Sequence, residues 1–290
     1  MDEDLFLINM KFINLLFILH LLLMLNACAA PVTAAGIMGN IINRTADSGE
    51  NQQTEVQTQP AYTNTYPDRA EIAATNLNLG IEYMKLGEYN LALEKLLRAK
   101  EAKSDYAPVY DALGLLYQKL EQPEKADQNF QQAIKLNSNS SITLNNYGQF
   151  LCSQGKVDDA DKYFLASADN PLYETPEIPY TNIGTCAYMH DQPDKASKFF
   201  MKALTINPAI PAALIQMSEI EYKQGNYISA HDYLERYLKI SKHTPKSLWL
   251  GIRVEQELGN KNKVSGYALL LRNQYPDTEE AKSLEASGIR

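Results

Sequence analysis

The chain is poor in the residues that enzyme chemistry usually recruits. Its 290 residues include three cysteines, four histidines and one tryptophan. No HExxH, no GxSxG and no Gly-rich phosphate loop occurs, so the usual carriers of metal hydrolysis, serine catalysis and phosphate cradling are missing. The 27 basic residues form no run and face 35 acidic ones, a formal charge of −8, which argues against a nucleic-acid footprint. Fourteen glycines and a lack of alternating Ile/Val-rich runs argue against a sheet protein. Apolar residues still make up 45% of the chain, enough for one long core or two small ones. The aromatic balance is skewed to tyrosine, 18 against one tryptophan, and most lie between Tyr83 and Tyr275.

There is one long apolar run, Phe12 to Leu25, broken only by Asn14 and His20. At about 14 residues it is shorter than the roughly 20 that a bilayer-spanning helix needs, and it fits the apolar segment of a secretory signal. Asp2, Glu3 and Asp4 are acidic where such a signal carries positive charge, whereas Met10-Lys11 supplies the expected start. The run ends in "LNAC", Leu25 to Cys28, which resembles the lipobox of bacterial lipoproteins. That resemblance implies cleavage after residue 27, acyl lipid on Cys28 and no other cofactor. Ala29 in place of Asp implies sorting to the outer membrane. An ordinary cleaved signal with Cys28 as a passenger is the alternative. Residues 28–68 are rich in Asn, Thr, Gln and Ser without apolar periodicity, so they read as a flexible polar tether.

Beyond residue 68 the chain repeats itself. Gly80, Gly114 and Gly148 recur at a period of 34 residues. Each is followed by Ala92, Ala126 or Ala160, and then by Leu96, Phe130 or Phe164. A fourth copy carries Gly184, Ala196, Phe200 and Ala203, starting two residues late. A fifth keeps Leu214, Ser218, Ala230 and Leu234; a sixth keeps Leu248, Ala268 and Pro276. Small residues at the eighth and twentieth places let two antiparallel helices approach, and the aromatic or Leu at the twenty-fourth fills the gap. Each pair leaves an apolar flank open, so neighbours must stack. Leu-Gly-x2-Tyr followed by Ala-x3-Phe-x2-Ala resembles the tetratricopeptide repeat. The expected fold is all-α, a right-handed superhelical solenoid of about six helical hairpins spanning 69–290. The repeats fall near 73–106, 107–140, 141–174, 177–210, 211–244 and 245–278.

Cys152 takes the twelfth place of the third repeat and Cys186 the tenth of the fourth. At about 100° per residue these places point to opposite flanks of a helix. One cysteine therefore faces forward and the other backward, into one seam. Outside the cytoplasm this predicts a disulfide, closing a loop worth roughly 3–4 kcal/mol in the chain-entropy model. Two buried thiols acting as small hydrophobes are the alternative, and the twelfth place also faces the groove. Cys186 with His190, four residues on, lacks the third group that a nucleophile or zinc site needs. His231 and His243 lie in later repeats. No catalytic or metal residues are assigned. Trp249 reads as core or capping material, with presentation to a partner from an exposed cap as the alternative.

By resemblance to tetratricopeptide proteins, the second, fifth, ninth, twelfth and thirteenth places line a concave groove. Here the expected lining is Leu77, Ile81, Met84, Asp111, Leu115, Asn145, Gln149, Thr181, Tyr188, Met189, Ile215 and Tyr222. Gln118, Thr185 and Glu219 hold equivalent places. The set mixes apolar, aromatic and amide groups without a basic clamp, which suits a protein segment with apolar anchors.

The phrases "NNYGQFLCSQGK" and "NPLYETPEIPYTNIGTCAY" each place Cys within four residues of Asn-x-Gly, and the second holds a proline-rich turn. With the lipobox, tether and repeats, the chain from Cys28 onward resembles the type IV pilus biogenesis and stability lipoproteins of the PilW/PilF kind. The resemblance implies a pilotin: a lipid-anchored protein on the periplasmic side of a Gram-negative outer membrane. Its implied partner is the pilus secretin, whose subunits it binds and helps localise and multimerise; no nucleic acid or small-molecule substrate is implied. Two rivals differ in class. One is a repeat lipoprotein adaptor of another envelope machine, such as outer-membrane protein assembly or peptidoglycan synthesis control. The other is an enzyme, opposed by the missing constellation.

Overall fold

The structure, a computed structural model, describes residues 68–289. The apolar run, Cys28 and nearly all of the expected tether lie outside the described residues. Thirteen helices follow one another. They pair as α1 (Arg69–Lys85) with α2 (Tyr89–Ala102), α3 (Ala107–Lys119) with α4 (Pro123–Leu136), and α5 (Ser141–Ser153) with α6 (Val157–Ala168). Then come α7 (Glu177–Met189) with α8 (Pro193–Ile206), α9 (Pro211–Lys223) with α10 (Tyr227–Leu238), and α11 (Pro245–Glu257) with α12 (Lys261–Gln274). A last helix, α13 (Glu279–Ala286), stands alone. The odd-numbered helices pack on one another in sequence to form an inner layer, and the even-numbered helices cover it. No strand occurs among the described residues. No described helix is long and apolar enough to cross a membrane. The architecture is a tetratricopeptide-repeat solenoid of six hairpins.

The hairpins close by the predicted exchange of bulk. A Cβ added at Gly80, Gly114, Gly148 or Gly184 would lie 2.7–2.8 Å from Leu96, Phe130, Phe164 or Phe200 respectively. No larger residue fits there without moving a buried side chain, because interiors are packed to crystal density. All four large partners are at most 1% exposed. Between the helices of every hairpin the fifteenth place adopts a left-handed backbone. Gly87, Gly155, Gly225 and Gly259 hold it at φ 74–81°, while Glu121 and Asp191 hold it at φ 56°. The two non-glycine turns carry a backbone penalty of about 1–2 kcal/mol and are each followed, two residues later, by a proline that opens the next helix.

The last two hairpins depart from this scheme. In the fifth, Ser218 replaces the glycine; its hydroxyl is satisfied by the Ala230 carbonyl at 2.7 Å, and the facing residue is the smaller Leu234. In the sixth, the bulk changes sides. Ile252 takes the eighth place and Ala268 the twenty-fourth, and both are fully buried in one cluster with Leu248 and Leu271. Gly251, one place earlier, receives the Tyr267 ring.

Two boundaries differ from the sequence expectation. Helix α1 starts one turn before the first expected repeat, at Arg69. Helix α13 lies beyond the sixth, where no element was expected. It buries Ala281 and Leu284 on the open flank of the sixth hairpin and is capped by Thr278, whose hydroxyl accepts from the Ala281 N–H. A stack needs such an end cap because its terminal flank has no neighbour.

Candidate protein-docking groove

The inner layer brings the fifth, sixth, ninth and twelfth places of successive hairpins into register. From α3 to α11, side chains link each inner helix to the next. Asn146 of α5 donates to Asp111 of α3 at 2.9 Å, and Asn182 of α7 donates to Asn145 of α5 at 2.8 Å. Further along, Lys223 of α9 donates to the Tyr188 hydroxyl of α7 at 2.7 Å, with its ammonium 4.9 Å from the ring. The Arg253 guanidinium of α11 lies 4.8 Å from the Tyr222 ring of α9. The links thus change from amide pairs to cation–aromatic pairs along the solenoid.

Three expected groove residues need correction. Leu77, at 6% exposure, belongs to the core, in one cluster with Ala92 and Leu96. Asn145, also 6% exposed, is occupied by Asn182. Thr181, 9% exposed, turns its hydroxyl back onto the Glu177 carbonyl of its own helix. Ile81, Met84 and Leu115 are half-buried with their outer edges open, as are Tyr188, Ile215 and Tyr222. Gln149 and Met189 are exposed, Met189 at 66%. Asp111 is half-buried at the groove floor. Loss of hydration pushes its carboxyl up to about 6, against the opposing hydrogen bonds of Asn146 and Thr143. One of its oxygens, Oδ1, has no partner among the described residues.

The sixth hairpin adds two residues that the sequence reading left out of the groove. Trp249 and Arg253, at the fifth and ninth places of α11, lie beside each other, with the guanidinium 5.8 Å from the indole. Trp249 also packs on the terminal cluster, so it serves both core and surface. The fifth and ninth places were the available signal.

Cys152 and Cys186 lie in the seam between α5 and α7, with their Sγ atoms 2.16 Å apart in a disulfide and their Cα atoms 5.9 Å apart. Both are buried. His190 joins them through its Nε2, 3.2 Å from the Cys152 carbonyl oxygen, a bond to backbone and not to sulfur. With both sulfurs bonded to each other, this trio offers no thiolate. The long turn after α6 is tied down by Asn170, which donates to the Asn139 carbonyl and the Ser141 hydroxyl and accepts from the Leu172 N–H.

A second cluster stands on the outer side of the fifth and sixth hairpins. Glu255 is fully buried, 2.6 Å from His231 Nδ1 and 2.5 Å from Asn260 Nδ2. Lys263 lies 2.7 Å from Glu235 and 3.6 Å from Glu255. The lysine hydrogen bond holds the Glu235 carboxyl below its ordinary range. His231, Glu235 and Glu255 are close enough to share a cation, and Lys263 already supplies the positive charge there. His243 is elsewhere, edge-on to Tyr267, and burial pushes its imidazole down.

The tetratricopeptide-repeat family matches residues 107–140, and a second tetratricopeptide-repeat description matches residues 129–162. The type IV pilus assembly protein PilF of Pseudomonas aeruginosa is 28% identical over 218 residues, 75% of this chain and 86% of that protein. An uncharacterised protein of Haemophilus influenzae is 31% identical over 122 residues, 42% of this chain and 68% of its own. Among solved structures, Pseudomonas aeruginosa PilF superposes with a TM-score of 0.69 at 27% identity, covering 76% of this chain and 100% of that one. PilW, a type IV pilus biogenesis factor, superposes with a TM-score of 0.67 at 25% identity, covering 74% and 99%.

Proposed function

We propose that this chain, a tetratricopeptide-repeat homologue of the type IV pilus proteins PilF and PilW, is a pilotin. In this reading Cys28 carries acyl lipid and fixes the protein to the inner leaflet of the outer membrane. The polar stretch that follows gives the solenoid reach. The groove captures a secretin subunit and raises its local concentration where the ring must form. The protein works as a scaffold, without turnover.

The observation that carries the reading is the similarity to PilF across 86% of that protein, because it extends over the whole solenoid and not over a few interchangeable repeats. The groove's mixed apolar and aromatic lining supports a protein partner. The test is a deletion strain whose unboiled envelope fractions are run on a gel. Loss of the high-mass secretin band with accumulation of monomer is expected. Cys28→Ser should give the same loss while the repeats stay folded. An intact band and normal pili in the deletion strain would overturn the pilotin reading in favour of an adaptor for another envelope machine.

A further inference from the structure

Two cations lie against aromatic rings on the inner layer, and their surroundings differ. Lys223 donates to the Tyr188 hydroxyl and lies 3.4 Å from Glu219, so the chain satisfies it internally. Arg253 is flanked by rings from two successive hairpins, Tyr222 at 4.8 Å and Trp249 at 5.8 Å. It has no ion-pair partner among the described residues, and its Nε is buried without an acceptor. Stacking on a ring returns about 0.5–2 kcal/mol, whereas a buried donor left unpaired costs about 1–3 kcal/mol. The chain by itself therefore leaves this guanidinium under-satisfied.

A carboxylate suits the outer end of this guanidinium, whose two terminal nitrogens match its two oxygens in a bidentate pair. The surroundings narrow the source. Ile215 on the preceding inner helix, and Tyr188 and Met189 on the one before it, expose apolar surface, so a carboxylate carried beside apolar side chains meets complementary chemistry along that stretch of the groove. A guanidinium set between two rings without an ion-pair partner among the described residues favours an acidic partner.

We infer that Arg253, between Tyr222 and Trp249, is the carboxylate-reading position of the groove, and that its occupant is an extended acidic segment of a partner protein. The inference rests on reading the inner layer as a docking surface and goes further by stating what the docked segment carries. Arg253 selects among segments by charge, and the rings hold its guanidinium in place.

Trp249 is the chain's one tryptophan, so its emission reports occupancy. The full chain in detergent is titrated with an end-blocked peptide of alternating leucine and glutamate, and with its glutamine twin. A saturable emission change is expected, with the glutamate peptide bound about tenfold more tightly. Arg253→Gln should abolish that ratio with helicity unchanged by circular dichroism. Tyr222→Leu, which keeps the arginine and removes one ring, should weaken the glutamate peptide alone. Equal affinity for the two peptides, no saturable change with either, or a ratio kept in Arg253→Gln would overturn the inference. Sodium acetate producing the same change at equal carboxylate concentration would also overturn it, in favour of a small-anion site. Secretin multimers lost on deletion but intact with Arg253→Gln would retire this inference alone and leave the scaffold reading standing.

Discussion

The first four hairpins and the last two solve one packing problem with different chemistry. In the first four, a glycine receives a Leu or Phe across the hairpin, and the geometry is enforced by steric exclusion. From the second hairpin to the fourth their inner helices are joined by amide hydrogen bonds and, in the third and fourth, by the disulfide. In the last two, Ser218 is tied by a hydrogen bond, Ile252 and Ala268 exchange bulk, and a buried glutamate lies within reach of His231 Nδ1, the Asn260 amide and the Lys263 ammonium. The solenoid tolerates both because each hairpin contacts only its neighbours, so local substitutes suffice if the volume is conserved. The difference also falls across the groove, which runs from amides and aliphatics to cations and rings.

The largest blow to the sterically defined half is Phe164→Ala. It should cost about 3–5 kcal/mol, as for large-to-small changes in a tight core, and lower the urea midpoint. An effect below about 1 kcal/mol would mean that the glycine–phenylalanine contact is not what sets that half apart. Next comes the disulfide. Replacing Cys152 and Cys186 together by Ala should cost about 3–4 kcal/mol. Amide exchange should rise first in α5 and α7, with the last two hairpins spared. A thiol titration of the native protein that finds Cys152 and Cys186 free would remove the basis of this expectation.

Third, the two regions should respond to acid with opposite sign. Asp111 has a folded pKa raised from 3.8 to about 6, so its contribution is most favourable below the unfolded value. It is lost as pH rises through about 6, a swing of about 3 kcal/mol at most. Asp111→Asn should therefore stabilise the first hairpins at pH 7 and flatten their dependence between pH 4 and 6, measured by urea midpoints across that window. Smallest is Glu235, whose folded pKa is lowered by Lys263. Its contribution is present above the unfolded value and lost as pH falls, and partial exposure keeps it under about 1 kcal/mol. Glu235→Gln should remove that loss from the last two hairpins, which the Glu235–Lys263 pair joins, read by amide exchange at pH 4 and 7.

Much of the fold was legible because its determinants are close in sequence and strictly spaced. Gly114 and Phe130 lie 16 residues apart on one hairpin, and a period of 34 shows them again as Gly148 and Phe164. The groove was less legible. Position alone does not tell whether a fifth-place side chain looks outward, and Leu77, Asn145 and Thr181 are all buried. Arg253 was passed over because the sixth repeat matches its neighbours poorly once Ile252 and Ala268 trade places. Helix α13 carries no repeat signal, since a cap needs one apolar face and no period.

The sequence by itself determined the all-helical repeat fold and the contact of a glycine with a Leu or Phe that closes four of the hairpins. These follow from local spacing, which a helix of fixed pitch converts directly into contact. Only the tertiary structure decided which groove places stay open, that Lys223 is satisfied by Tyr188 and Glu219, and that Arg253 comes to rest between Tyr222 and Trp249. Those outcomes depend on the rotation between successive hairpins, which is set by the summed packing of many side chains and is written in no single motif.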